Sequence, residues 1–455
     1  MKLIFYGGVN EIGGNKILLE VSKTKIFLDF GEPFNRGDGI YFGFEYVSPR
    51  EKLGLKDYFE FDLIPDLEGL YAKEELKFTN LKYTNPKFDA ILISHIHADH
   101  FGDVADVDPK IPVYLGYGAN RLNDVFNEIY PSFKTEHNGN IVEIKSGNKF
   151  KIKNVEVIPV HMDHSVPGAY GFIIKTEEGN IAYTGDYRFH GFKPDLTEDF
   201  IKVAKKEKTK ILITEGTRVK KQIDKRFDNK INEQDVENKF YEAIKKSNGS
   251  TFVNFSFRNI DRVRSLYNAA VRAGKILVAN PGFFYTIDCA REIIDDLPKV
   301  KNNPNIRVFK KDGDIEEYKK TREYAKPYLE KSVDYKWIRK HLNDVVMFLT
   351  ASELSQLIDI KPKKGMYVFS MSEHYLEGED NEEYRNCLEY WLDHFGLDFA
   401  QIHCSGHAGE DGIKRMINEI EPQIVIPVHT EAAEKFKNFW KKVILPEKEQ
   451  IVVIK

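Results

Sequence analysis

Three histidines and an aspartate fall within six positions, His95-Ile96-His97-Ala98-Asp99-His100, directly after the apolar run 90–93. In an extended chain side chains alternate with period two, so His95, His97 and Asp99 point to one face, and a turn before Gly102 brings His100 round to them. Four ligand-type groups then converge at one strand end. Neutral imidazoles mixed with carboxylates suit Zn²⁺ or a similar first-row cation. One strand end does not complete a two-metal site. His164 follows the apolar run 155–160, Asp186 ends the run 181–184, and His429 closes the run 424–428. Their shared placement at the ends of apolar strands nominates all three. A pair of divalent cations about 3.5–4 Å apart activates water and neutralises charge on a phosphoryl group, so phosphodiester hydrolysis is within reach of such a set.

The cysteines do not compete for that role. Only Cys289, Cys387 and Cys404 occur, without a CxxC pair, so a metal must be held by His, Asp or Glu, and a reducing, cytoplasmic home is expected.

The elements that would carry these residues fall into two regimes. Before Asp186, short β-branched or aromatic runs at 3–6, 17–21, 26–30, 90–94, 113–116, 155–160, 171–175 and 181–184 are separated by turn residues, which predicts sheets, largely antiparallel. The stretch 32–87, rich in Pro, Gly and aromatics, is too long for an ordinary connection and is expected to be a partly ordered insertion that covers a site. From Lys210 strands alternate with helices. A helix at 233–246 carries Val236, Phe240, Ala243 and Ile244 at helical spacing, and further helices are expected at 259–273, 315–331 and 382–395. They separate strands at 250–256, 275–279, 306–309, 345–350 and 366–372, which implies a parallel sheet with helices on it. A last strand–helix–strand–helix run follows at 399–404, 409–420, 424–428 and 431–443.

Composition sets the outer bounds. The 455 residues are enough for two or three domains with sizeable cores. No apolar stretch approaches the roughly 18 residues of a membrane span, and the first residues reach Gly7 and Gly8 too soon for a secretory leader, so no membrane partner is expected. The formal charge is -4, which excludes wholesale coating of a polyanion. Between 218 and 275, however, 14 Lys and Arg face 7 Asp and Glu. That basic segment reads either as a solvated helical surface or as one wall of a nucleic-acid cleft.

Taken together, HxHxDH, the sequence Asp163-His164-Ser165-Val166-Pro167-Gly168-Ala169, Thr184-Gly185-Asp186, Ser405-Gly406-His407-Ala408 and Pro427-Val428-His429 resemble the metallo-β-lactamase superfamily. More narrowly the chain resembles its β-CASP nucleases, and within them the ribonuclease J group, over almost its whole length. The resemblance implies an α/β fold: a metallo-β-lactamase αββα sandwich with an inserted β-CASP α/β domain, whose parallel sheet is flanked by helices. It places the first domain at 1–217 with 399–455 and the insertion at 218–398. Position by position it implies that His95, His97 and His164 hold one metal, that Asp99, His100 and His429 hold the second, and that Asp186 bridges them. Asp99 and Asp186 would also orient the attacking water, with His407 as general acid and Glu215 fixing its tautomer. Two divalent ions are implied, Zn²⁺ or Mn²⁺.

The implied substrate is RNA, because RNA-processing members carry histidine where this chain has His429. The implied activity is metal-dependent ribonucleolysis in RNA processing or decay, as exonuclease, endonuclease or both, by a homodimer or homotetramer. Arg258, Arg262 and Arg264 are placed to offer guanidinium groups to phosphates, and Ser370, Ser372 and Ser405 are assigned to RNA contacts. Phe255, Phe257, Phe283, Phe284 and Tyr285 are expected mostly in the core. The chain departs from the group after Ser372, where Glu373, His374, Glu377 and Glu379 replace the neutral residues usual beside the pocket for a 5′ phosphate, and the extra C-terminal domain of many members is not expected. The competing readings are a small ester or thioester hydrolase, a DNA nuclease, and a non-catalytic RNA-binding scaffold.

Overall fold

In a computed structural model, the protein is described over residues 1–34, 41–42, 47–131, 135–219, 231–311, 322–330, 332–372, 375–376, 378 and 381–454. Strands β1 to β6 are Lys2–Gly7, Lys16–Val21, Thr24–Phe30, Ala90–Leu92, Val113–Gly116 and Ile141–Ile144; β7 to β11 are Phe150–Ile152, Val155–His161, Tyr170–Lys175, Asn180–Tyr183 and Thr209–Glu215. Strands β12 to β18 are Ser250–Asn254, Ile276–Ala279, Ile306–Phe309, Ser332–Val333, Val345–Phe348, Gly365–Phe369 and Leu397–Gln401, followed by β19 at Ile424–Val428 and β20 at Ile451–Val453.

These strands form three sheets, in the orders β20-β1-β2-β3-β4-β5-β6, β19-β11-β10-β9-β8-β7 and β15-β14-β13-β16-β12-β17-β18. The first two lie face to face. Their inward residues, among them Leu3, Ile17, Leu28, Leu92, Phe172, Ile181, Ile213 and Ile426, make one shared apolar core. Helices Pro194–Lys206 and Glu410–Ile420 cover the outer face of the second sheet through Phe200, Ala204, Ile413 and Met416. The outer face of the first is covered by Leu122, Val125 and Phe126 of helix Ala119–Ile129 and by Leu55, Ile64, Leu70 and Tyr71. This is the expected αββα sandwich. The third sheet is parallel throughout. One face takes helices Glu233–Lys246, Ile260–Arg272 and Pro281–Ala290, and the other takes Tyr335–Lys340, Gln356–Ile360 and Glu382–His394. The proposed division at 398/399 falls inside β18, which pairs with β17.

Four expectations change. The sandwich sheets are mixed rather than largely antiparallel, since β3, β4, β5 and β6 run parallel, as do β10, β11 and β19. Parallel pairing needs a crossover, and helices such as Ala119–Ile129 and Pro194–Lys206 supply it. The run 431–443 holds a 3-10 turn at Ala433–Asn438, not a long helix. Of 315–331, residues 315–321 and 331 lie outside the described residues; the remainder forms two short turns, the second, Lys326–Leu329, carrying Pro327, which cannot donate to a preceding turn. The described part of 32–87 packs Leu55, Leu70, Tyr71 and Leu76 into the core.

A largely buried polar network ties the third sheet to the sandwich. Glu233 accepts from Arg262 Nε at 2.7 Å, from Ser265 Oγ at 3.2 Å and from the Cys404 thiol at 3.1 Å. Arg188, two residues beyond Asp186, donates to Asp261 at 2.6 Å and to Asp163 at 3.3 Å, and lies 3.8 Å from Glu233. Glu233→Ala leaves Arg262 buried without its carboxylate, Arg188 keeping Asp163 and Asp261, and the expected cost is about 3–5 kcal/mol of stability. Denaturant unfolding measures this; a loss below about 1 kcal/mol would show the network to be incidental.

Candidate metal centre

The seven nominated side chains meet at the ends of strands from both sandwich sheets. Beyond β4 come His95, His97, Asp99 and His100; beyond β8 comes His164, beyond β10 Asp186, and beyond β19 His429. His95 Nε2 and His164 Nε2 lie 3.0 and 3.2 Å from His97 Nδ1. Asp99 Oδ2 lies 3.0 Å from His429 Nε2 and 3.8 Å from His100 Nε2. Asp186 Oδ2 stands between the groups, 3.7 Å from His95, 3.2 Å from His100 and 4.0 Å from His429. Three overlapping groups have ligand geometry; two are made of the nominated residues, His95, His97 and His164, and Asp99, His100, Asp186 and His429, while the third joins Glu215 and His407 to Asp186 and His429.

Each imidazole except His97 is aimed by a partner on its far side. His100 Nδ1 donates to Asp29 Oδ2 at 2.6 Å and His164 Nδ1 to the Gly406 carbonyl at 2.8 Å. Thr217 Oγ1 donates to Glu215 at 2.6 Å and so accepts from His429 Nδ1 at 2.8 Å. Ser94 Oγ likewise donates to Asp29 at 2.8 Å and accepts from His95 Nδ1 at 3.1 Å. With Nδ1 of these four rings so engaged, their Nε2 atoms face the centre, which His97 meets with Nδ1. His429 is carried there by a left-handed backbone, φ 53°, held by its N–H on the Gly8 carbonyl at 2.7 Å.

Electrostatics divide the clusters. Burial pushes His95 and His164 well below the ordinary histidine range and His97 down to about 4, so these imidazoles are neutral. In the second cluster burial opposes charge, yet the surrounding carboxylates, Asp186 foremost, hold the His100 imidazolium far above its usual range. Asp186 is held well below the carboxylate range against burial by His100, His429 and His407. Despite this crowding, His100 Nε2 and Asp186 Oδ1 are buried without a hydrogen-bond partner among the described residues. The neutral imidazoles converging in the first cluster, and two orphaned polar atoms in the second, are what a bound cation would satisfy; the donor set of imidazole nitrogens and carboxylate oxygens fits a first-row divalent ion.

Beside this centre His407 Nδ1 contacts Glu215 Oε2 at 3.1 Å and Asp186 Oδ2 at 3.5 Å, and its side chain remains 22% exposed. Burial works against its charge, but Glu215 and then Asp186 raise it to about 9. Glu215 is anchored by the Tyr187 N–H at 3.0 Å.

The expected RNA contacts divide. Arg262 and Ser370 are corrected: both are fully buried, Arg262 being spent on Glu233, the Cys404 carbonyl and Ser370. A guanidinium already neutralised in the core is not open to a phosphate. Ser372 and Ser405 are half-buried; Ser405 Oγ accepts from the His407 N–H at 3.0 Å. Arg258 is half-buried over the Phe126 ring. Phe255, Phe257, Phe283 and Phe284 are core residues. Glu373, His374, Glu377 and Glu379 lie outside the described residues. His161 stacks on Tyr170 outside the ligand clusters.

Sequence reasoning missed Asp29, Ser94, Thr217 and Tyr183, whose hydroxyl donates to Asp29. Asp29 had a signal: a charge inside the apolar strand Thr24–Phe30, with φ 56°. Asp29→Ala should weaken metal binding by about 10- to 100-fold, because His100 loses the acceptor that orients it. Titration of the metal-stripped protein with Zn²⁺ measures the change, and an unaltered affinity would count against Asp29.

Comparisons with known proteins agree with this geometry. Residues 61–222 match the family model described as beta-lactamase superfamily domain, and residues 397–443 match the Zn-dependent metallo-hydrolase RNA specificity domain. Ribonuclease J of Pyrococcus abyssi is 25% identical over 450 residues, covering 95% of this chain and 90% of that protein. Ribonuclease J of Mycoplasma genitalium is 22% identical, covering 94% of this chain and 68% of its own. A crystal structure of a protein of unknown function from Enterococcus faecalis V583 shares the fold, with a TM-score of 0.74 at 22% identity over 99% of both chains.

Proposed function

This chain is a ribonuclease J-like protein of the metallo-β-lactamase superfamily, and from that premise we propose that it hydrolyses RNA phosphodiester bonds at a divalent metal centre. The observation that carries the reading is the convergence of five imidazoles, Asp99 and Asp186, with His407 and Glu215 alongside.

His95, His97 and His164 would hold one ion and Asp99, His100 and His429 a second, with Asp186 shared; Zn²⁺ is the first choice and Mn²⁺ the alternative. When bound, such ions supply a hydroxide nucleophile at neutral pH and neutralise charge developing on the phosphoryl oxygens. Asp186 and Asp99 accept hydrogen bonds from the attacking water and orient it. His407, with Nδ1 committed to Glu215, presents Nε2 to the leaving oxygen and donates its proton there. Glu215 keeps that tautomer and compensates the imidazolium charge. The basic segment from 218 belongs to the inserted domain proposed at 218–398, which would form the opposite wall of the RNA cleft, the working unit being a homodimer or homotetramer.

Digestion of a single-stranded RNA labelled at one end tests this, with matched DNA and a thioester as parallel substrates and a chelator as control. RNA cleavage that the chelator abolishes and added Zn²⁺ or Mn²⁺ restores is expected. Faster DNA or thioester turnover, or no turnover with full metal, would refute it.

A further inference from the structure

Arg258 stands in the turn between β12 and helix Ile260–Arg272, and it lacks what the other cleft arginines have. Arg262 is paired with Glu233, and Arg264 lies 3.6 Å from Asp296 with its guanidinium over Phe192. Arg258 has no carboxylate against it among the described residues; its guanidinium carbon sits 4.8 Å above the Phe126 ring of helix Ala119–Ile129. The neighbouring Phe257 packs against Phe126 and Tyr130, with ring centroids 6.1 and 5.7 Å away, which fixes the turn against the sandwich. Burial pushes Arg258 below the ordinary guanidinium range, and only the Tyr130 phenol is set against that effect. Its positive charge also reaches His97 in the first ligand cluster. A partly desolvated cation without an anion beside it is open to one, and a guanidinium is the side chain best suited to take a phosphate through two hydrogen bonds.

We propose that Arg258 is a phosphate anchor, holding a backbone phosphate of the bound RNA that flanks the scissile one, on the His97 side of the metal centre. The aromatic platform of Phe126 and Phe257 preorganises the guanidinium, and the incoming phosphate provides the missing counter-charge. This rests on the ribonuclease reading. It makes Arg258 a positioning residue for the strand, not a participant in bond breaking.

The test is steady-state cleavage of a single-stranded RNA by the metal-loaded full chain across a salt series. Arg258→Gln should raise KM by about 10- to 100-fold, the loss expected for one charge-assisted contact, with metal content retained. The slope of log(kcat/KM) against log salt should shrink by about 0.7, the share of one phosphate on a single strand. Arg258→Lys, which keeps the charge, should recover most of that slope. Arg307→Gln, at a guanidinium that donates to the Pro304 and Ile306 carbonyls, is the control for net charge and should leave the slope alone. An unchanged slope in Arg258→Gln, or equal impairment of the Gln and Lys variants, would overturn the anchor while leaving the nuclease reading intact. Wild-type protein that cleaves no RNA would overturn both.

Discussion

Asp186→Asn is expected to abolish RNA cleavage to within about a thousandth of the wild-type rate and to lower the bound metal. The carboxylate is buried and lies 3.2–4.0 Å from ligand nitrogens of His95, His100 and His429, so it stands within reach of both histidine clusters. The amide has the same shape but no charge, and its NH₂ would face imidazole lone pairs already aimed inward. If the shared charge contributes several kcal/mol to holding the ions and to the transition state, each 1.36 kcal/mol of that removes a factor of about ten. Metal content by mass spectrometry and initial cleavage rates check both halves. Full metal content with an unimpaired rate would remove Asp186 from the centre of the proposal.

His407→Ala should behave differently: metal retained, cleavage slowed by about 10²- to 10⁴-fold. The loop that carries His407 serves the metal cluster through its backbone, since His164 donates to the Gly406 carbonyl, so deleting the imidazole spares that support. What disappears is the protonated ring held by Glu215 and Asp186, and with it the alkaline limb of the rate profile that reports loss of its proton. Loss of metal in parallel with rate would recast His407 as a structural residue. Cleavage at the wild-type rate would remove it from the mechanism.

Much of this site could be read from the sequence because strand ends are local features. Apolar runs followed at once by histidine or aspartate announced where β4, β8, β10 and β19 stop, and the ligands sit within a few residues of those ends. Helix Glu233–Lys246 was equally legible, its boundary marked by an Asn232–Asp235 capping box and its face by Val236, Phe240 and Ile244. Strand direction was not. Whether β3 meets β4 in parallel depends on a crossover nearly sixty residues long that periodicity does not describe, hence the expectation of antiparallel pairing. Partners such as Asp29 and Thr217 were hidden for a related reason: one sits inside an apolar strand and the other in a short turn, and their value arises only when residues 71 and 212 positions away arrive. Arg262 shows the converse. Its type and neighbourhood suggested a nucleic-acid contact, but only the folded chain brings Glu233 to it.

The order in which the ligands appear along the chain has a consequence for a cell that makes this protein. A ribosome that has reached residue 400 has already produced six of the seven ligands, yet His429 and the strand Ile451–Val453 that closes on Lys2–Gly7 are still to come. His407, too, is still unmade. A nascent polypeptide that stops short of His429 therefore carries no finished centre, and nucleolytic competence waits until that histidine and the strand after it have been made.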